Sequence, residues 1–215
     1  MVHGMTHSIT TDGTAMVIRE LSAIGSVLAF DLRGHGTSGG GSTVGDLETL
    51  DVDAAVAHAR ESAKEPVAVV GFSLGGAVAL RQAAFGAHRP DAVVSVSAPS
   101  RWYVRDSAPM RRVNWLIEHP VGALVGPLVG IRLGAPWTAV PPSPLVAVSE
   151  IEVPLLVVHG TADHYFPLAH GIDLQRASVG RAELWVEQGM GHAENATSRE
   201  LARRIGGWVV QVLPG

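Results

Sequence analysis

Short apolar runs alternate with amphipathic stretches along this chain. The runs have the length of strands and lie at 26–31, 67–72, 92–98, 154–160 and 182–187. They are nearly continuous rather than alternating, as expected for strands that are covered on both faces. Helical patterns lie between them, near 14–25, 44–62, 74–86, 168–178 and 194–212. The pattern predicts an α/β fold with a mostly parallel, doubly wound sheet flanked by helices.

One of these helices has a simple apolar stripe. In 44–62, apolar residues recur at steps of three and four, namely Leu47, Leu50, Ala54 and Ala57 or His58. Such spacing predicts that this face of the helix packs on the sheet.

Residues 99–150 interrupt the alternation of strand-like and helical stretches. The interval is rich in proline, holds three of the five tryptophans (Trp102, Trp115, Trp137) and shows no clear strand. Two interpretations stay open: a cap or lid insertion within a single domain spanning 1–215, or an irregular packed excursion with core tryptophans.

Composition narrows the class of protein. Hydrophobic residues make up 47% of the 215 and charged residues 17%, and the net charge is -4, which is typical of a globular protein. No dense run of Lys and Arg indicates binding to nucleic acid. There is no cysteine, and no membrane span or signal peptide is recognisable. We expect a cytoplasmic protein without cofactor or metal, and the oligomeric state stays open.

The stretch VAVVGFSLGGAVAL carries the strongest chemical signal. It places Ser73 between a buried strand and an apolar helix, with Gly71 and Gly75 two residues to either side. This is the G-x-S-x-G nucleophile elbow, a turn so tight that side chains at the glycine positions would collide. The motif predicts that Ser73 is a nucleophile.

A serine nucleophile needs a base, and the base needs an orienting group. Asp163 and His192 each follow a predicted strand, in the loops GTADHYFP and GMGHAE. Active sites of open parallel sheets lie at the carboxyl ends of the strands, so Ser73, Asp163 and His192 can converge there. Asp106, at the start of the 99–150 interval, is the rival acid, whereas Asp31 is expected to brace its own loop.

Five stretches, in order, carry a resemblance to a known family: VHGM, DLRGHGTS, GFSLGG, GTADHYFP and GMGHAE. Together they resemble the α/β-hydrolase fold family, from residue 2 to the C-terminus except for 99–150. The resemblance implies a Ser-His-Asp catalytic triad in which Ser73 is the nucleophile, His192 the general base and then acid, and Asp163 the orienting carboxylate. It further implies an oxyanion hole made by the backbone amides of Leu74 and Met5.

The other histidines near these motifs are expected to be structural. His3 and His35 belong to loops that the family shares and are expected to pack or hydrogen-bond there. His159 lies at a strand end, and His164 should point away from the site because successive residues diverge. None of the histidines has the spacing of metal ligands.

The resemblance also bears on the start of the chain. The strand that leads into VHGM lies centrally in the family's sheet, and here only Met1 and Val2 represent it. Unpaired buried backbone groups would cost about 1–3 kcal/mol each. We therefore expect the natural polypeptide to begin roughly 20–30 residues upstream, the length of a hairpin and a strand.

The expected function is hydrolysis of carboxylic esters, or related acyl compounds, through a Ser73 acyl-enzyme, with a small-molecule substrate. A lipase, thioesterase, C–C bond hydrolase or acyltransferase could use the same triad. A non-catalytic ligand-binding protein on this scaffold is the alternative of another class. Haloalkane dehalogenation is disfavoured because it would need an aspartate where Ser73 stands.

Overall fold

The sheet is parallel throughout. The computed structural model describes residues 1–213, and the last two residues of the predicted 1–215 domain lie outside them. In the described chain the sheet has four strands: β1 (Ala68–Phe72), β2 (Ala92–Val96), β3 (Leu155–Gly160) and β4 (Ala182–Glu187). They lie side by side in chain order, and Val70, Val94 and Leu156 are paired in one row. The predicted α/β class with a parallel sheet is confirmed.

Helices cover both faces of this sheet. They are α1 (Asp12–Ser22), α2 (Glu48–Ala63), α3 (Leu74–Phe85), α4 (Ala108–Glu118), α5 (Gly122–Val125), α6 (Pro144–Ser149), α7 (Ala169–Ala177), α8 (Ala193–Ala196) and α9 (Arg199–Val212). A 3-10 turn spans Gly126–Val129. Segment 99–150 therefore holds α4, α5, this turn and α6.

Strand residues explain why the apolar runs are continuous. Successive side chains of a strand point to opposite faces. Accordingly, Val69 and Val93 pack in the core between the sheet and α3, while Val70, Val94 and Leu156 pack with α1 and α9 on the other face. Both faces of β1, β2 and β3 are largely buried, so most of their positions are apolar, and the polar exceptions Ser95 and His159 are buried as well.

The predicted strand at 26–31 is wrong, since those residues are irregular backbone. The segment that lies between them and β1 consists of Met1 and Val2. Val2 donates to the Val70 carbonyl at 2.8 Å and accepts from the Phe72 amide at 3.0 Å, and the Met1 amino group donates to the Leu28 carbonyl. A strand needs a hydrogen-bonded partner along its length, and this segment bonds to the 26–31 run only at Leu28.

The predicted buried face of the second helix is also wrong. Leu47 and Leu50 are exposed, and α2 instead buries Glu48, Val52 and Val56. The Glu48 carboxylate accepts hydrogen bonds from the preceding loop, including the Thr43 backbone amide at 2.8 Å. These bonds fix the rotation of α2 and place the leucines toward solvent.

The long predicted helix at 194–212 is two helices. Thr197 has extended backbone between α8 and α9, and Ser198 begins α9 as its N-cap. The Ser198 hydroxyl accepts from the Leu201 amide at 3.0 Å. Serine is favoured at this position because its side chain satisfies an otherwise free amide, so the break is encoded locally.

The buried side chain of His170 should make the stability of the fold sensitive to acid. Its buried Nδ1 accepts from the Ser100 amide at 3.0 Å and lies 2.9 Å from the Ser100 hydroxyl, so a proton there would remove the bond from the amide. Burial, and then Arg101, lower the pKa of His170 to about 4 from 6.5. As pH falls, His170 is protonated in the unfolded chain before it is protonated in the folded one, which favours unfolding. The free energy of unfolding should therefore decrease by about 3 kcal/mol between pH 6.5 and about 4.

Urea unfolding curves between neutral pH and about pH 4 measure that loss. His170→Gln keeps an acceptor for Ser100 but cannot be protonated, so the variant should show a shallower pH dependence. An unchanged slope would contradict the assignment to His170.

Candidate active site

Ser73 stands on a strained turn between β1 and α3. Its backbone φ is 51° and ψ is -116°, a region that non-glycine residues rarely occupy. A Cβ at Gly71 would overlap the Gly75 carbonyl, and one at Gly75 would overlap the carbonyls of Val2 and His3. Both glycines are therefore required for β1, α3 and the N-terminal segment to approach this closely.

His192 and Asp163 lie where they can act on this serine. The Nε2 atom of His192 is 2.8 Å from the Ser73 hydroxyl oxygen, and its Nδ1 is 2.8 Å from Oδ2 of Asp163. Because the carboxylate can only accept, Nδ1 carries the hydrogen and Nε2 is free to accept from the serine. The three predicted residues form one hydrogen-bonded chain across loops that are distant in sequence.

Asp163 is held as a carboxylate. Its Oδ1 accepts from the backbone amides of Tyr165 and Phe166 at 2.9 and 3.0 Å, and the side chain is buried. Burial alone would raise the pKa of Asp163, but the contact with His192 and the two amides outweigh it and lower the pKa below its usual value. The group that orients His192 is thus charged at neutral pH.

Two backbone amides near Ser73 are unused. Within residues 1–213, the amides of Met5 and Leu74 donate no hydrogen bond. Leu74 is the first residue of α3, whose N-terminal amides face the serine. Gly4 packs so closely on Ser73 that a Cβ there would lie 3.2 Å from the serine Cβ, which brings the Met5 loop beside the nucleophile.

Asp106, the alternative candidate for the triad acid, and Asp31 both lie away from His192. Asp106 is 53% exposed and forms an ion pair with Arg101 at 2.5 Å. Asp31 accepts from the amides of Ile9 and Thr37 at 2.8 and 3.0 Å, so it braces its loop as predicted. Neither contacts His192.

The predicted structural histidines make local bonds. His3 Nδ1 donates to the Gly4 carbonyl and its Nε2 accepts from an amide of the neighbouring loop, while His35 Nδ1 donates to a carbonyl of its own loop. His159 Nε2 donates to the Phe166 carbonyl at 2.8 Å, and burial lowers the pKa of His159. The expectation that His164 points away from the site is wrong, because His164 lines the cavity described next. The Asp163 carboxylate is bonded to His192.

A cavity of about 870 Å³ opens above Ser73 and His192. Its walls are largely apolar and come from both the sheet edge and segment 99–150, with Met5, Leu74, Trp102, Val113, Trp137 and Phe166 among them. Trp102 and Trp137 pack against each other at 5.5 Å between ring centroids. The tryptophans at 102 and 137 thus line the cavity instead of filling a core, while Trp115 is exposed.

Sequence reasoning missed three residues at this site. Tyr165 stacks on the His192 ring at a centroid distance of 4.5 Å. Glu194 is buried beside the Gly4 loop and lies 3.1 Å from His7 Nδ1. Glu194 ends the GMGHAE stretch and His7 follows VHGM, so both lie beside motifs that the sequence analysis used. Nothing in their positions along the chain indicates that the two side chains meet.

Two further features concern residues 1–213, the part of the chain that the structure describes. In that part of the chain no group of three or more His, Asp or Glu side chains could together hold a metal ion. No helix there combines the length and apolar character needed to cross a membrane.

An open parallel sheet with a serine elbow at the carboxyl end of β1, the strand that Val2 flanks, defines the class of fold, which is that of the α/β hydrolases. A family model described as "Alpha/beta hydrolase family" matches residues 1–204. The chain belongs to that family, and the resemblance read from its five motifs is confirmed.

A curated relative is the uncharacterized protein YqkD of Bacillus subtilis, 28% identical over 177 residues. The match covers 80% of this chain and 57% of YqkD, so the chain spans little more than half the length of that relative.

Solved structures share the architecture. The Pyrococcus furiosus esterase Pf2001 is 26% identical with a TM-score of 0.76, over 99% of this chain and 82% of the esterase. The Paleococcus ferrophilus monoacylglycerol lipase is 22% identical with a TM-score of 0.67, over 98% of this chain and 92% of the lipase. The second likeness shows the fold alone.

Proposed function

We propose that this protein hydrolyses carboxylic esters through a Ser73–His192–Asp163 triad. The observation that carries the proposal is the unbroken chain of two 2.8 Å contacts from the Ser73 hydroxyl through His192 to Asp163, on a strained elbow that faces a cavity. The esterase likeness of Pf2001 supports the same activity.

The first half of the reaction forms an acyl-enzyme. His192 Nε2 takes the hydroxyl proton as the Ser73 oxygen attacks the ester carbonyl carbon, and the carbonyl electron pair moves onto its oxygen. When this intermediate collapses, the C–O bond to the alcohol breaks and His192 returns the proton to the departing alcohol. The negative charge of Asp163 stabilises His192 while it is protonated.

The second half releases the acid. Water enters the site, gives a proton to His192 and attacks the acyl carbon. The Ser73 oxygen then leaves with that proton, and the enzyme returns to its starting state. In both halves the amides of Met5 and Leu74 hydrogen-bond the oxyanion, an effect worth about 3–4 kcal/mol for one donor.

The walls of the cavity support an ester with a sizeable apolar group. A volume of about 870 Å³ lined by Trp102, Val113 and Trp137 exceeds what an acetyl group needs. Burial of further methylene groups lowers the free energy of binding by about 0.8 kcal/mol each. In this proposal segment 99–150 serves as the cap that supplies the apolar wall.

Labelling by a fluorophosphonate and turnover of p-nitrophenyl esters test the proposal together. We expect wild type to be labelled and Ser73→Ala not to be labelled, and kcat/KM to rise about tenfold or more from acetate to octanoate. A wild type without label or turnover would overturn the ester-hydrolase proposal. An equal kcat/KM for all acyl lengths would contradict the proposed preference for an apolar group. Faster turnover of a matched thioester would reassign the enzyme as a thioesterase.

A further inference from the structure

One buried carboxylate contacts both ends of the turn that carries Met5. Oε1 of Glu194 accepts from the Gly4 amide at 2.6 Å, and Oε2 lies 3.1 Å from Nδ1 of His7. The turn is closed by a bond from the His7 amide to the Gly4 carbonyl at 3.2 Å. The Met5 amide is therefore enclosed by a four-residue turn whose first and last residues share one partner.

The hydrogen bonds around His7 have a defined direction. Nε2 of His7 is 3.2 Å from Nδ2 of Asn195, the residue after Glu194. With Nε2 accepting from this amide, Nδ1 carries the ring hydrogen and lies in close polar contact with the Glu194 carboxylate, without a well-aligned hydrogen bond. The adjacent Glu194 carboxylate also raises the pKa of His7, which strengthens the pairing when His7 is protonated.

Glu194 is built into the site rather than placed at its surface. It is 1% exposed, and the bonds it accepts hold its pKa below the usual value although burial opposes this. A Cβ at Gly4 would lie 3.2 Å from both Glu194 Oε2 and the Ser73 Cβ. The turn is thus packed between the carboxylate and the nucleophile, with little room to move.

Glu194 also belongs to the element that follows His192. It lies two residues further along, in α8, and the intervening Ala193 amide donates to the Ser97 hydroxyl at 3.1 Å. Movement of α8 would shift the base and the Met5 turn together.

We infer that Glu194 and His7 are positioning residues that hold the Met5 amide toward the oxyanion. The inference rests on the proposed ester hydrolysis, because it assigns a role in stabilising its tetrahedral intermediate. Neither residue exchanges a proton with substrate. Their effect should appear in kcat and in the binding of tetrahedral adducts, and much less in KM.

Glu194→Gln tests this with little change in size. The glutamine oxygen can still accept from Gly4, but its amide group can only donate and would face the hydrogen-bearing Nδ1 of His7, so the contact at that end of the turn is lost. After normalisation to the sites titrated by fluorophosphonate, kcat should fall about tenfold or more while KM changes less than about threefold, since loss of one oxyanion donor costs about 100-fold to 1,000-fold. The Ki for a trifluoromethyl ketone should rise in proportion.

His7→Ala provides a second variant in case Glu194→Gln does not fold, and it should show the same pattern. Glu187→Gln is the matched control, because Glu187 pairs with Arg204 and is not among the residues that line the cavity, and its kinetics should equal those of wild type. An active wild type with normalised kcat unchanged in both variants, or a loss confined to KM, would overturn the inference. A wild type that is neither labelled nor active would instead overturn the proposed function.

Discussion

Asp163→Asn should lower kcat about 10,000-fold while the fold is retained. In the variant, the side-chain oxygen must still accept from the amides of Tyr165 and Phe166, which leaves its NH2 group facing His192. That group can only donate, so Nδ1 of His192 must accept and the ring hydrogen moves to Nε2. A hydrogen on Nε2 faces Ser73 and prevents the ring from taking the serine proton.

Steady-state kinetics with a p-nitrophenyl ester measure the loss, and circular dichroism shows whether the fold is retained. Asp106→Asn is the matched control, since Asp106 is exposed and pairs with Arg101. Its kcat should stay within about twofold of wild type. Near wild-type turnover in Asp163→Asn, or an equal loss in the control, would move the role away from Asp163.

Gly71→Ala should give the largest loss of stability among single methyl additions at the elbow. The new Cβ would overlap the carbonyl group of Gly75 and approach the Gly76 amide at 2.8 Å, all of them backbone atoms. No side-chain rotation relieves the contact, so α3 would have to move away from β1. We expect a decrease of about 3 kcal/mol or more in the free energy of unfolding, with loss of fluorophosphonate labelling.

Gly207→Ala is the matched control for that substitution. Gly207 is exposed on α9, and in the described chain a Cβ there would meet nothing within 4 Å. Alanine is favoured over glycine in a helix by up to about 1 kcal/mol, so the variant should be equally stable or slightly more stable. Denaturant unfolding of both variants measures the two effects, and similar values would refute the steric argument for Gly71.

Strands and site residues were predictable where the signal is local. The elbow at Ser73 is encoded by Gly71 and Gly75 between an apolar run and a helix, and it forms as predicted. Asp163 and His192 could be named because each follows a strand of a parallel sheet, whose carboxyl ends share one edge. Their roles in catalysis remain proposals that the substitutions above test.

The errors arose where contacts that the apolar pattern does not show decide the outcome. The apolar run at 26–31 resembles the other strands, but it lies beside Met1 and Val2 rather than beside a long strand. The stripe through Leu50 is helical in period, but the buried Glu48 carboxylate sets the rotation of α2. In the first case the deciding contact joins residues that are distant in the chain, and in the second it joins a polar side chain to the loop just before the helix. Apolar periodicity reports neither kind of contact.

By itself, the sequence determined the α/β class, the positions of the four described strands along the chain and the choice of Ser73, Asp163 and His192 as residues that converge, because periodicity and turn chemistry act over a few residues. Only the tertiary structure decided which residues surround these three. Glu194 reaches Gly4 across 190 positions of the chain, and the cavity walls come from segments that no local pattern connects. Contacts of this kind depend on how the packed helices and sheet bring distant residues together, so no short stretch of sequence specifies them.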